Sequence, residues 1–176
     1  MTAEMHASNE PVFRIATEAD ADQLLAFMRD YYAFDGHGFD PSRARTALVH
    51  LLREPAFGLV WLIIDGEAPV GYAALCFGYS LEYLGRYAYL DEFFLLPTHR
   101  GRGWGRRSLT FVEDEARKRG VRSIHLEVVR TNTGAGEVYR KAGYVDHGHY
   151  LMTKWIEREF AKPDADTPRG TIKGEK

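Results

Sequence analysis

Apolar residues recur along the chain with two different periods, which predict an alternation of strands and amphipathic helices. Apolar runs typical of strands lie at 12–15, 59–64, 70–77 (continuing loosely to 81), 87–96 and 123–130. Helical spacing of apolar residues follows Thr17, Asp40 and Gly103, and another helix is predicted over 134–142. Residues 144–156 add one or two strands. The predicted order is βααβββαβαβ(β), and its mixture of hairpins and helical connections predicts an α/β (α+β) fold with a mixed central sheet flanked by helices.

Residues typical of helix ends and turns support these boundaries. Asp20 follows Thr17 at a capping-box spacing. Asp40-Pro41 supplies an N-cap followed by a proline at the first helical position. Asp65-Gly66 is typical of a hairpin turn, and Gly120 stands where a glycine ends a helix.

The composition is that of an ordinary globular protein. The 176 residues are 45% hydrophobic and 27% charged, with a net charge of −2, so no global field favours nucleic acid or an anionic membrane. Cys76 is the single cysteine, which excludes a disulfide framework and fits a reducing cytosol. No apolar run reaches membrane-spanning length and the N-terminus lacks a signal-like layout. We expect one cytoplasmic domain over 11–160, with disordered ends at 1–10 and 161–176.

A glycine-rich turn follows the apolar run that ends at Leu96. Residues 100–105, Arg-Gly-Arg-Gly-Trp-Gly, lead into the helix after Gly103. Backbone N–H groups at such a helix start face outward, and glycine lets a ligand approach them closely, so the turn predicts a phosphate cradle. The spacing fits neither a P-loop nor the dinucleotide fingerprint.

The pattern R-x-x-G-x-G of this turn resembles the pyrophosphate loop of the GNAT superfamily of acyl-CoA-dependent N-acyltransferases. A second part of the chain also matches that superfamily: Asn132, then Ala135, Tyr139 and the pair 143–144, Gly-Tyr. The resemblance covers roughly 70–156. It implies a mostly antiparallel sheet in which the strands ending at Leu96 and near Arg130 run parallel and splay apart. It also implies acetyl-CoA as cosubstrate.

The resemblance assigns a set of residues to the cosubstrate. They are Phe94, Leu95, Leu96, Arg100, Gly101, Arg102, Gly103, Trp104, Gly105, Arg106, Asn132, Ala135 and Tyr139. Backbone groups of 95–96 would pair with the pantetheine arm, and N–H groups of 101–106 would bind the pyrophosphate. The arginines either add charge to the phosphates or form a solvated basic face. The indole of Trp104 is expected to pack under the loop.

Acyl transfer to an amine also needs an acid and a base. Tyr139 is the candidate that protonates the leaving thiolate, although a helix tyrosine with its ring in the core is the alternative. Asp91 and Glu92 are the candidate bases. They resemble the acidic pair of diamine acetyltransferases, and strand alternation places them on opposite faces unless a bulge intervenes. Glu127 either lines the cleft or pairs with a neighbour.

Aromatic and acidic residues dominate the segments that select the acceptor in this architecture. Tyr32, Asp35 and Glu82 are the candidates, together with Asp91 and Glu92. They suit a small cationic primary amine through cation–π contacts and ion pairs, unless the rings are core and the acids are caps. A protein or peptide acceptor, or a non-catalytic acyl-CoA-binding regulatory domain, remain the alternatives. We expect no metal site, since His147 and His149 lack a third ligand. The sequence leaves open whether the protein forms a homodimer.

Overall fold

The computed structural model describes residues 10–36, 38–149 and 151–156. Its strands are β1 (Val12–Ile15), β2 (Gly58–Asp65), β3 (Ala68–Ser80), β4 (Gly85–Leu95) and β5 (Ser123–His125). Its α-helices are α1 (Ala21–Asp35), α2 (Pro41–Arg53), α3 (Trp104–Lys118) and α4 (Thr133–Lys141). Short 3-10 turns precede α1 at Glu18–Asp20 and α3 at Pro97–His99. Of the two ends for which the sequence predicts disorder, 1–10 and 161–176, all residues except Glu10 lie outside the described residues.

The strands form one sheet in the order β1-β2-β3-β4-β5. The first four strands are antiparallel, and β5 pairs parallel to β4 from Tyr87↔Ser123 to Tyr89↔His125. The mixed, mostly antiparallel sheet predicted from the sequence is therefore confirmed. Because β4 runs on to Leu95 after this pairing has ended, the two strands part and leave a gap between them.

Two predictions about the last part of the chain are wrong. The strand predicted over 123–130 ends at His125, because the chain beyond it leaves β4 and loses its hydrogen-bonding partner. Val128 and Val129 are typical of a strand but lie exposed outside the sheet. No strand occurs within the described part of 144–156, where no neighbouring strand pairs with the chain.

Helices cover both faces of the sheet. Leu24 and Phe27 of α1 pack with Leu62 and Tyr72 on one face, which we call the α1 face. Leu109, Val112 and Ala116 of α3 pack with Leu75 and Leu90 on the opposite face, the α3 face. Both layers are buried hydrophobic clusters, as a two-sided sheet requires.

A β-bulge interrupts the register between β3 and β4. Leu75 lies opposite Leu90 and Ala74 lies opposite Glu92, so Asp91 is the extra residue of β4. Without the bulge, Leu90 and Glu92 would share a face. Instead Leu90 packs in the α3-face cluster, whereas Glu92 contacts Tyr72 of the α1 face. The bulge therefore turns one acidic residue inward and leaves the other, Asp91, exposed.

The predicted end signals are confirmed in atomic detail. The Asp20 carboxylate accepts hydrogen bonds from the backbone N–H and the hydroxyl of Thr17, ahead of the 3-10 turn that leads into α1. Asp40 caps α2 by accepting from two backbone N–H groups. Gly66 forms the β2–β3 turn and Gly120 follows α3, both with positive φ. No helix in the described ranges is long and apolar enough to cross a membrane.

Candidate active site

The glycine-rich turn adopts a backbone conformation that side chains disfavour. Gly101 has φ +73° and Gly103 has φ +80°, in the left-handed region that favours glycine. No heavy atom lies within 4 Å of where a Cβ would stand at either position. The glycines are therefore required by the backbone rather than by crowding. The space beside the start of α3 stays open, as a phosphate cradle needs.

The arginines of the loop differ in what they contact. The Arg100 Nε donates to the Leu95 carbonyl at 2.8 Å, and its guanidinium lies over the Phe34 ring at 5.1 Å. Arg100 thus links the end of β4 to α1, a contact that neither of the two roles expected from the sequence, phosphate binding or a solvated basic face, includes. Arg102 and Arg106 are exposed, and neither forms an ion pair with another described residue.

A groove at the start of α3 places positive charge beside the turn. It is lined by Gly103, Arg106, Arg107 and Thr110. Arg107 also pairs with Glu10 at 3.1 Å. An open basic groove beside exposed backbone N–H groups fits a pyrophosphate, so the residues present suit the acyl-CoA that the sequence suggests.

The indole of Trp104 lies under the turn, as the sequence predicts. It is 2% exposed and packs with Ile63, Val70 and Leu95. The ring of His99 lies 5.3 Å from it, and His99 Nε2 lies 3.1 Å from Asp65 Oδ2. This pair links the β2–β3 turn to the glycine-rich turn. No local pattern in the sequence predicts this contact, since its partners are 34 positions apart in the chain.

Glu92 forms the buried centre of an acidic and aromatic site on the α1 face. The Tyr72 hydroxyl donates a hydrogen bond of 2.8 Å to Glu92 Oε2. Burial, the Glu92 charge and this hydrogen bond raise the pKa of Tyr72. The pKa of Tyr32 is raised by burial first, then by the charge of Glu92, a hydrogen bond to it, and the charge of Asp91. Three of the predicted site residues, Tyr32, Asp91 and Glu92, therefore lie together.

A second phenol–carboxylate pair lies where β4 and β5 part. The Tyr89 hydroxyl donates to Glu127 Oε1 at 2.5 Å, and Tyr89 occupies the last paired position of the parallel ladder. Burial raises the pKa of Tyr89, followed by the hydrogen bond and charge of Glu127 and by the charge of Asp91. Of the two roles that the sequence left open for Glu127, pairing with a neighbour is observed.

The remaining predicted residues lie in different surroundings. Tyr139 packs against the α3-face cluster, its ring 5.8 Å from that of Tyr144, and burial raises its pKa. Asn132 caps α4 by accepting from the Ala135 N–H at 3.2 Å. Glu82 is exposed in the turn before β4.

Three further positions complete the predicted set. The side chain of Asp35 lies outside what the structure describes. Phe94 is buried against α1, and the Leu96 N–H donates to the Val70 carbonyl at 2.9 Å.

Comparison with known proteins gives matches over most of the chain. A family model described as the acetyltransferase (GNAT) family matches residues 22–144. An uncharacterized N-acetyltransferase of Methanocaldococcus jannaschii is 31% identical over 134 residues, which are 74% of this chain and 59% of that protein. The thialysine N-epsilon-acetyltransferase of Bos taurus is 32% identical over 148 residues, which are 77% of this chain and 84% of that protein. The chain thus spans less than two thirds of the archaeal relative.

Solved structures share the fold. An integron cassette protein from the mobile metagenome of Cole Harbour Salt Marsh has a TM-score of 0.73 and 32% identity, over 82% of this chain and 90% of that one. A predicted acetyltransferase from Clostridium acetobutylicum, whose structure contains acetyl-CoA, has a TM-score of 0.70 and 20% identity, over 82% and 96% of the two chains. At that identity the second likeness shows the fold alone.

Proposed function

The chain belongs to the GNAT family of acetyltransferases, and from this premise we propose that it moves an acetyl group from acetyl-CoA directly to a small cationic primary amine. The observation that carries the choice of acceptor is the acidic site on the α1 face. Glu92 is buried there and accepts a hydrogen bond from Tyr72, with Tyr32 and Asp91 beside it. Phenol rings and carboxylates attract an ammonium group, which favours a cationic acceptor.

Binding of the cosubstrate falls to the turn before α3. Backbone N–H groups of 101–106 bind the pyrophosphate at the positive end of the helix dipole. Arg102 and Arg106 add charge, since their side chains are exposed beside the turn. Acetyl-CoA supplies an activated thioester when it is bound. The gap between β4 and β5 gives its pantetheine arm a route toward Asp91.

Asp91 and Glu92 have different tasks in this proposal. An ammonium has no lone pair, so the acceptor must lose a proton before it attacks. Asp91, exposed at the bulge, takes that proton directly or through a water molecule. Glu92, which is buried and accepts a hydrogen bond from Tyr72, supplies the negative charge that attracts the ammonium group of the acceptor. A phenol is protonated at neutral pH, so the hydroxyl of Tyr139, whose pKa burial raises further, carries the proton that the leaving thiolate takes up.

Names of relatives support a small acceptor. Thialysine N-epsilon-acetyltransferases of three mammals match this chain, and that substrate is an amino acid with an amine on its side chain. A protein or peptide acceptor, or acyl-CoA binding without turnover, are the competing functions. The cytoplasmic location and a possible homodimer belong to the proposal as well.

The test is a thiol-release assay with acetyl-CoA against small amines and short peptides. Wild type would be compared with Tyr139→Phe, Asp91→Asn and Glu92→Gln. We expect turnover on cationic amines, and losses of about 100-fold in the first two variants, as removal of an acid or base predicts. Turnover on peptides alone would replace the proposed acceptor. Acetyl-CoA binding without turnover on any acceptor would favour a regulatory domain.

A further inference from the structure

Arg100 contacts two other parts of the molecule from its place in the glycine-rich turn. It follows the end of β4 by five positions and comes directly before Gly101. Its Nε donates a hydrogen bond of 2.8 Å to the Leu95 carbonyl. Its guanidinium lies 5.1 Å from the centre of the Phe34 ring and 5.7 Å from that of Phe94, within the range of cation–π attraction. Arg100 therefore joins the turn to both β4 and α1.

The contact with Phe34 brings a positive charge to the end of α1. The last turn of α1 holds no basic residue, and Gly36 follows the helix with φ +71°. A cation beside the C-terminus of a helix is favoured by the helix dipole. The Phe34 side chain is 62% exposed, so Arg100 adds an anchor where core packing is sparse.

The same end of α1 carries two phenols of the acidic site. Tyr31 and Tyr32 precede Phe34 by three and two positions, and their rings lie 5.8 Å apart. Tyr32 forms a hydrogen bond with Glu92. The ring of Phe94 lies 6.5 Å from that of Tyr31. The position of this end of α1 therefore determines how the phenols surround Glu92.

We infer that Arg100 is a positioning residue that couples binding of the cosubstrate at the glycine-rich turn to the geometry of the acceptor site. The inference rests on the proposed function, because it takes the acidic site as the acceptor site. A cosubstrate bound to the N–H groups of 101–106 restrains the turn, and Arg100 passes this restraint to α1. Each ligand then raises the affinity for the other by the same factor.

Hydrogen exchange with and without CoA tests the coupling in the absence of any acceptor. The CoA concentration would be chosen by calorimetry to saturate each variant. In the wild type we expect CoA to slow the exchange of the backbone amides of 32–36 about fivefold, as a coupling of ordinary size predicts. Arg100→Ala and Phe34→Leu should each reduce this slowing to less than about twofold, because either change removes the contact between the turn and α1.

Arg45→Ala is the matched control for Arg100→Ala. Arg45 pairs with Asp22 in the first turn of α1, at the opposite end of the helix from Phe34. Its removal also takes a cation away from α1, but it should leave the slowing by CoA unchanged. Full slowing in Arg100→Ala, or an equal loss of slowing in Arg45→Ala, would overturn the inference. So would the absence of any slowing in the wild type.

Steady-state kinetics at saturating acetyl-CoA, with 4-aminobutanol as the acceptor, separate positioning from chemistry. We expect Arg100→Ala to raise the KM of the acceptor about fivefold and to change kcat by less than about twofold, because the reacting groups stay in place. A loss confined to kcat would overturn the positioning role. If neither 4-aminobutanol nor any other amine is turned over by the wild type, the proposed function fails, and hydrogen exchange still decides the role of Arg100.

Discussion

Tyr72 on β3 donates a hydrogen bond of 2.8 Å to Glu92 on β4, across the antiparallel pair and under α1. Tyr72 is 1% exposed and Glu92 is 9% exposed, so the bond lies in the interior. A carboxylate there would be costly without donors, and the phenol replaces part of the water that it loses. The bond therefore stabilises the fold and holds the charge of the acceptor site.

Replacement of Tyr72 by Phe should destabilise the protein more than an ordinary loss of one hydroxyl. The substitution keeps the ring but removes a donor from a buried carboxylate, which costs about 1–3 kcal/mol. Urea unfolding would measure the change in the free energy of unfolding. Tyr79→Phe is the matched control, because Tyr79 is 76% exposed and should change stability by less than about 0.5 kcal/mol. Equal effects of the two variants would show that the bond to Glu92 contributes little.

The sequence predicted most elements because their signals are local. The pattern of apolar residues predicted all five strands and the four helices, and Asp40 and Gly120 marked helix ends. The length over which neighbouring strands pair was harder to predict from the sequence. The length of β5 was overestimated, since Val128 looks like a strand residue but the chain there has left β4.

Features of the site that depend on residues far apart in the chain could not be predicted from the sequence. The bulge at Asp91 arises from the register of β4 against β3, and no local pattern encodes that register. The Tyr89–Glu127 and Asp65–His99 contacts join residues 38 and 34 positions apart. The glycine-rich turn was recognisable because its conformational demand on Gly101 and Gly103 is local.

The two glycines at the start of α3 should respond to alanine in opposite directions. Gly103→Ala forces a side chain into the left-handed region at φ +80°, which costs about 1–2 kcal/mol. Gly105 lies within α3, and a Cβ there would meet Val138 Cγ1 at an ordinary 3.9 Å. Gly105→Ala should therefore be neutral or stabilise by up to about 1 kcal/mol.

Thermal unfolding of both variants, with calorimetry of CoA binding, would check this pair. We expect Gly103→Ala to lower both the Tm and the affinity for CoA, and Gly105→Ala to keep both near wild type. A weaker affinity for CoA in Gly105→Ala alone would mean that the cosubstrate approaches that residue more closely than the turn suggests.

The Asp65–His99 pair should couple the β2–β3 turn to the glycine-rich turn. Its side chains are 29% and 15% exposed, and His99 also lies 5.3 Å from the buried Trp104 ring. A double-mutant cycle of Asp65→Asn and His99→Gln should give a coupling of about 0.5–1 kcal/mol in the free energy of unfolding. The single variants should also weaken CoA binding. Additive effects of the two substitutions would show that the contact carries no energy.

Cys76 offers a chemical probe of the acceptor site. Burial, followed by the charges of Asp91 and Glu92, raises the pKa of this thiol from 9.0 to about 11. Since the thiolate is the reactive form, alkylation at about pH 8 should be about 100-fold slower in the native protein than in urea.

The raised pKa of Cys76 also makes the stability of the protein depend on pH in alkali. The native state favours the neutral thiol of Cys76. Its contribution to the free energy of unfolding is therefore fully present below about pH 9 and is lost as the pH rises through about 11. Iodoacetamide kinetics on wild type and Asp91→Asn would measure the slow alkylation of Cys76. The variant should react faster, because the charge of Asp91 is one of the three causes of the raised pKa.

Unfolding of wild type and Cys76→Ala between about pH 8 and 11 would measure the loss of stability in alkali, and the alanine variant should lose less stability over that range. An alkylation rate independent of the charge at residue 91 would contradict the placement of Asp91 beside Cys76, and with it the extent of the acidic site.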